Sequence, residues 1–328
     1  MRLRRLVDRP IIEPATHPSL GHNIQGPSLL RAPEWLPDAP GRYLLYFADH
    51  KGDHLRLGYT DDPAGPWSVV PGGALHLRDS RFLLEPPPAT DEQLADLLAL
   101  YREQLGAYDP PEGIRSDVAT PHIASPDVRA NHGTRQVELY FHGLEALGWQ
   151  TTRFATSNDG LSFQVQPESI PHTYLRAFSH GGIDYALVMP GIVLRRSGGP
   201  TEFETGPSLF PPTARHSAVR VRGDHIEILW TNVGDAPERL LLSTVDAAEP
   251  WTRWAASEPI EVLRPERTWE GANLPLVPSV RGAVNEPVNQ LRDPAFLVED
   301  DRTLVVYAVA GESGLAIAEV IDESPIER

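Results

Sequence analysis

The sequence predicts an all-β fold, a five-bladed β-propeller with one inserted helix between blades one and two, and two observations carry it. A unit of three or four short strands recurs five times at intervals of roughly 40–50 residues, the periodicity of a propeller rather than of a sandwich. Copies of the unit end on a common turn phrase: Asp-Asp-Pro-Ala-Gly-Pro-Trp at 61–67, Asn-Asp-Gly-Leu-Ser-Phe at 158–163, Gly-Gly-Pro-Thr-Glu-Phe at 198–203 and Asp-Ala-Ala-Glu-Pro-Trp at 246–251. The abundance of Pro (33) and Gly (26) fits a chain that must turn after nearly every strand.

Taken in order, blade one comprises 27–32, 42–49, 54–60 and 67–70, and blade two 126–130, 136–143, 150–157 and 162–166. Blade three comprises 174–178, 184–189, 192–196 and 202–204, and blade four 217–221, 225–232, 239–245 and 252–255. These runs are enriched in β-branched and aromatic residues, and several alternate. Blade five has only 294–298, 303–309 and 315–321, so its outer strand is expected from residues 6–13, which would close the ring and remove an open edge.

Two segments break the rhythm of what reads as one domain over 1–328. Within 79–116, Thr90 followed by Gln93 forms a capping box, and Leu94, Leu97, Leu98, Tyr101 and Leu105 recur at helical spacing. Residues 258–291 form a long Pro- and Asn-rich loop carrying Trp269, Glu270, Arg281, Asn289 and Gln290, and loops of that length are frequently functional.

Composition narrows the partners. A net charge of −16 argues against a nucleic-acid backbone or an anionic membrane. The absence of cysteine removes disulfides, thiolate metal sites and Cys nucleophiles. The basic N-terminus lacks an apolar core of a signal peptide, and no run approaches the ~18 apolar residues of a membrane span, so a cytoplasmic location is expected. Lys51 is the only lysine among 29 basic residues.

In a propeller, the start of each innermost strand and the end of each second strand meet beside the axis. In register, the five starts are Gln25-Gly26-Pro27, Ser125-Pro126-Asp127, Leu175-Arg176, Arg215-His216-Ser217 and Arg292-Asp293-Pro294. The second-strand ends supply Asp49 with His50, His142, Met189, Asn232 with Asp235, and Glu312, while His22, Asn23 and His122 precede inner strands. All five corners are polar, and charged side chains aimed into a tunnel are costly unless water or ligand fills it. A polar sugar is a natural occupant.

Three local patterns resemble the five-bladed glycosidases of glycoside hydrolase family 43 and their relatives, which include inverting neoagaro-oligosaccharide hydrolases and mannoside phosphorylases. Ser125-Pro126-Asp127-Val128 resembles the family's Ala-Pro-Asp/Glu-Val. Residues 155–163 resemble its Ser-x-Asp-Gly-x-x-Phe, and Gly65-Pro66-Trp67 its Gly-Pro-Trp. The resemblance implies a propeller glycosidase, but the family's catalytic triad is missing at its usual places. Gly26-Pro27 stands where the general base would open blade one, Arg215-His216 where the general acid would open blade four, and Leu175-Arg176 where the third Asp would fall.

The chemistry is therefore expected at other corners: Asp293, in the one Asp-Pro pair at a blade start, as base, Glu312 beside it, and His216 as acid, with the neoagaro-oligosaccharide hydrolases as the family's precedent for a histidine acid. Asp49, His50, His122, Asp127, His142, Arg176, Arg215 and Arg292 are the expected binding residues, the arginines pointing to an anionic sugar or phosphate. The expected function is an inverting glycoside hydrolase acting on an oligosaccharide with an anionic sugar. A phosphorylase of the same fold, with Arg215 and Arg292 on phosphate, or a non-catalytic sugar-binding propeller are the alternatives. No cofactor is implied. A structural ion could fill the tunnel, but the histidine spacing assigns it no ligands.

Overall fold

The structure, a computed structural model, describes residues 1–105, 108–110 and 112–322. It contains five antiparallel sheets. From the axis outward, blade one is Gln25–Arg31, Tyr43–Ala48, His54–Thr60 and Ser68–Val69, with Leu75–His76 also paired to His54–Thr60. Blade two is Ile123–Asn131, Gln136–Ala146, Trp149–Ser157 and Gln164–Ile170, and blade three is Arg176–His180, Ile183–Val188, Ile192–Arg196 and Phe203–Ser208. Blade four is Ala214–Arg222, His225–Asn232, Leu240–Asp246 and Ile260–Leu263. Blade five is Arg292–Val298, Thr303–Val309, Gly314–Asp322 and Arg2–Arg5.

The middle strands explain why their sequences read as continuous apolar runs. Every residue of Tyr43–Ala48 is buried, because successive side chains point to opposite faces and each face meets a neighbouring blade. Leu44 and Tyr46 pack with Leu139 and Phe141 of blade two, whereas Leu45 and Phe47 pack with Leu304 and Val306 of blade five. The same logic gives five core clusters, one for each inter-blade seam. The turn phrases fasten these seams. Asp159 accepts the amides of Leu161 and Ser162 at 2.8 Å, and the Gly160 carbonyl accepts a 2.6 Å bond from Tyr46 of blade one.

Closure differs from expectation. The strand completing blade five is Arg2–Arg5, not 6–13; it pairs antiparallel with the last strand from Arg2↔Asp322 to Arg5↔Ala318. Of 6–13, only Ile12 bridges to that last strand, as an isolated antiparallel pair with Leu315, while the Ile11 and Ile12 side chains enter the core between blades five and one. In blade four, 252–255 does not form the outer strand. Trp251–Arg253 is a 3-10 turn after Pro250, and Trp254 packs into the core, so pairing resumes only at Ile260–Leu263.

Helix α1 spans Asp91–Leu105 and carries the expected capping box, with Thr90 N donating to Gln93 Oε1 at 2.9 Å and Gln93 N to Thr90 Oγ1 at 3.2 Å. A second helix, α2 (Gly113–Ala119), follows it and has no counterpart in the sequence reading. The two interruptions of the repeat meet each other. Tyr108 forms an isolated parallel bridge with Arg281, and Asn285 Nδ2 donates to Glu112 Oε1 at 2.6 Å. Among the described residues no helix is long and apolar enough to cross a membrane.

Closure also has a charged latch. Arg5 donates through Nε and Nη2 to both oxygens of Glu270, at 2.7 and 2.8 Å, and Glu270 is 0% exposed. The same carboxylate accepts the amides of Glu266 and Arg267, so blade five's outer strand is tied to the long loop. Arg5→Ala should destabilise the protein by about 3 kcal/mol, the low end for a broken buried pair because Glu270 keeps its amide donors. Urea unfolding of the variant and of wild type measures this, and a loss below about 1 kcal/mol would mean that the latch is dispensable.

Candidate functional site

The innermost strands begin with a shared irregularity. Register shifts fall between Gln25 and Ser28, Ala124 and Asp127, Ala214 and Ser217, and Arg292 and Ala295. At three of these bulges a residue sits in the left-handed region, Gly26 at φ 60°, Ser125 at 47° and Asp293 at 51°. Such bulges re-aim side chains, and non-glycine residues persist there only where surrounding contacts hold them. Gly26 needs its lack of a side chain twice over, since a Cβ there would also lie 3.1 Å from the Ser125 backbone. The vacancy lets blade five reach across: Gly26 N donates to Asp293 Oδ2 at 3.3 Å.

Above these bulges lies a cavity of about 250 Å³. Asp293, Glu312 and His216 all line it, together with His50 and Arg215. Asp293 and His216 form one unit, with Asp293 Oδ1 at ion-pair contact with His216 Nδ1, although the ring nitrogen is not aligned for a hydrogen bond. Tyr174 lies against His216 with ring centroids 3.8 Å apart and planes tilted by 38°, and His142 lies behind Tyr174 at 4.2 Å. Burial lowers His216 further than Asp293 raises it, so the ring is held neutral at pH 7.

Glu312 forms the second unit. Its carboxylate accepts from Asn23 Nδ2 at 2.7 Å, Arg292 Nη1 at 2.9 Å and Val284 N at 3.3 Å, and His50 Nδ1 lies 3.4 Å away. Burial alone would raise this carboxyl, but His50 and Arg292 outweigh it and hold it well below the usual range. The cavity thus presents two imidazoles, each with a buried carboxylate at Nδ1. They arise from three blades, His216 from four, His50 from one, and both carboxylates from five.

The remaining expected residues divide by depth. Arg292 is only 1% exposed and lies behind Glu312, bonded also to Gln290 and 3.5 Å from Glu238. Arg215 reaches the cavity, but Glu238 takes its Nε at 2.9 Å and the Val280 carbonyl takes Nη2. Arg176 sits on the axis below, donating to the carbonyls of Pro126 at 2.6 Å, Ser217 at 3.1 Å and Pro27 at 3.3 Å. Asp127 accompanies it, accepting Ala177 N at 2.9 Å. Both therefore serve the scaffold. Asp49 turns away to accept Lys51 N at 2.9 Å and contact Arg56 at 3.4 Å. His122 is buried, its Nδ1 at 2.7 Å from the Thr120 carbonyl. Among the described residues no group of three or more His, Cys, Asp or Glu is arranged to hold a metal ion.

Sequence reasoning passed over one whole wall. Tyr101, Gln104 and Leu105 of α1, with Tyr108 and Asp117, line the cavity from the insertion, and Arg281 lines it from the long loop. Tyr108 Oη donates to Asp117 Oδ2 at 2.5 Å, and Lys51 Nζ donates to the Asp117 carbonyl at 2.8 Å. The signal available was indirect: both segments interrupt the blade rhythm, and Tyr101 stood on the apolar face of the expected helix. The exposed Trp149 stands at the rim.

The buried histidines make stability depend on pH. Burial, with Lys51 adding, pushes His122 from 6.5 down to about 3. The unfolded chain therefore takes up a proton that the folded chain refuses, so this stability is complete above pH 6.5 and lost as pH falls towards 3. Near pH 5 the loss from His122 alone is about 2 kcal/mol. Replacing it in His122→Gln should flatten the decline of the urea midpoint between about pH 7 and pH 5. An unaltered slope would place a proton on the folded ring.

No family model matches the chain. An uncharacterized protein of Acanthamoeba polyphaga mimivirus is 32% identical over 320 residues, spanning 90% of this chain and 82% of the viral protein. Among solved structures, the GH43_1 enzyme of Xanthomonas citri complexed with xylotriose superposes with a TM-score of 0.57 at 11% identity, covering 98% of this chain and 90% of the enzyme. A GH43 β-xylosidase/α-arabinofuranosidase from a compost metagenome, also with xylotriose, gives 0.57 at 10% identity, covering 98% and 96%. The chain belongs to the family of the mimivirus protein, and its fold is the five-bladed propeller of the family-43 glycoside hydrolases.

Proposed function

We propose that the protein is a glycoside hydrolase that works in the central cavity, with inversion of configuration. The observation that carries this reading is the pair of imidazoles on one cavity, each backed by a buried carboxylate. The fold supports it, since the superposable Xanthomonas and compost enzymes hold xylotriose.

The roles follow from the local electrostatics and differ from the sequence expectation. Asp293 touches His216, so the two cannot face each other across a substrate as base and acid, a task that asks for roughly 6.5–9.5 Å between the groups. Asp293 instead occupies the Nδ1 side of His216 at ion-pair contact, leaving Nε2 as the atom that exchanges a proton. Because burial keeps that ring neutral, His216 takes the proton of the attacking water as general base. His50, with Glu312 3.4 Å from its Nδ1, takes the part of the acid and donates to the leaving oxygen. Asp293 and Glu312 are each covered by their partners and only 2% exposed, so neither offers a bare carboxylate to attack an anomeric carbon. That favours inversion over a covalent intermediate.

The test is release of reducing sugar from aryl and oligomeric glycosides of neutral and acidic sugars. His216→Asn and His50→Asn should each lower kcat by about 10²–10⁴-fold. Nuclear magnetic resonance of the first product should show the inverted anomer. The acid limb of the rate profile should lie below pH 6.5, the rate falling with pH as His216 gains a proton. Wild-type rates in His216→Asn, or no release from any glycoside, would overturn the assignment.

A further inference from the structure

Arg281 is the buried arginine of this site that lacks a carboxylate. It lines the cavity and is 7% exposed, and among the described residues no acidic side chain lies within ion-pair distance. Its neighbours are all matched, Arg215 to Glu238, Arg292 to Glu312 and Arg176 to Asp127. Its own contacts are weak or neutral. Nη2 donates to the carbonyls of Pro212 at 2.7 Å and Ala214 at 3.4 Å, Nη1 reaches only the thioether of Met189 at 3.3 Å, and Nε has no partner. A thioether is a poor acceptor, so most of the planar fork remains unsatisfied.

A guanidinium taken out of water without a counter-ion is costly. Burial, with the like charge of Arg215, outweighs the attraction of Glu238 and Asp117 from beyond ion-pair distance and lowers Arg281 to about 10, which still leaves it protonated at neutral pH. The two carbonyls on Nη2 fix the plane of the group, and the bridge from Tyr108 to the Arg281 backbone fixes the loop that carries it. These are the attributes of a preorganised anion receptor rather than of a structural cross-link.

We propose that Arg281 receives an anionic group of the ligand, so that the cavity selects an anionic sugar over its neutral counterpart. The inference rests on the reading that the cavity takes a sugar. The shared chemistry is an oxyanion able to accept from a guanidinium, whether the carboxylate of a uronic acid, a sulfate ester or a phosphate. Neutral hydroxyls would be met by Gln104, Gln150 and Thr173, which also line the cavity.

The test is calorimetric titration of the whole protein with the methyl glycoside of galacturonic acid (free carboxylate), galactose 6-sulfate and inorganic phosphate, each set against methyl galactoside. Wild type should bind at least one of the anions about tenfold or more tightly than the neutral glycoside, and the arm that responds identifies the oxyanion. Arg281→Met should remove that preference while binding of the neutral glycoside is retained, and Arg281→Lys should restore part of it. Should Arg281→Met fail to fold, the wild-type preference is read alone, with 0.5 M sodium chloride expected to weaken the anion arm only. Equal affinities for charged and neutral probes, or an intact preference in Arg281→Met, would overturn the proposal. Arg281-dependent binding without any cleavage would sink the hydrolase reading and leave the anion site standing, whereas cleavage of neutral glycosides alone would do the reverse.

Discussion

The innermost strand of every blade is an edge, and the backbone groups on its axial side have no strand to pair with. Arg176 resolves this constraint at the centre of the ring by donating to carbonyls of blades one, two and four from its own place in blade three. Buried polar backbone demands such partners. A guanidinium suits the position because one planar group offers five donors in fixed directions. Arg176 lines a smaller space of about 100 Å³ enclosed by the inner strands of all five blades, separate from the cavity that holds the histidines.

The cavity wall is polar because its charges come in matched sets. Glu238 is shared by Arg215 and Arg292, Arg292 reaches on to Glu312, and Thr231 adds a 2.7 Å hydroxyl bond to Glu238. Such a network adds little net stability compared with an apolar filling, but every member fixes the direction of the next. The outcome is that Glu312 meets His50, and Asp293 meets His216, with little freedom to relax. Arg281 stands apart from this set, which is why its lack of a carboxylate partner among the described residues carries meaning.

Much of the scaffold was legible in the chain because it is written in local chemistry. The turn around Asp159 and Gly160 and the capping box of Thr90 and Gln93 are each contained within a few residues. Arg2–Arg5 escaped notice because its four residues include three arginines and only one apolar side chain, while the isoleucines that looked like a strand were needed in the core. Blade four's outer strand lies later than expected, because the residues directly after the turn phrase continue a 3-10 turn and Trp254 fills a seam. At the site, register alone brought His216, Asp293 and Glu312 to one end of the ring. Their pairing was not legible, since His216 with Asp293 and His50 with Glu312 are contacts between blades distant in sequence. Arg281 lay in a segment without periodicity, where sequence gives no direction to a side chain.

The cavity's mouth is assembled from two segments that the blade repeat does not need. The insertion after blade one and the loop before blade five touch through Tyr108 and Arg281 and through Glu112 and Asn285. Blades are constrained on both faces by their neighbours, so they tolerate little change in length or shape. Between their anchors in the seams, at Phe82 for the insertion and at Leu263, Trp269 and Leu291 for the loop, these two segments are free of that constraint. Selection can thus lengthen, shorten or recharge the rim without disturbing the pair of histidines beneath it. Descendants of one chemistry could in this way diverge in the molecules they admit, with the same five blades carried through every step.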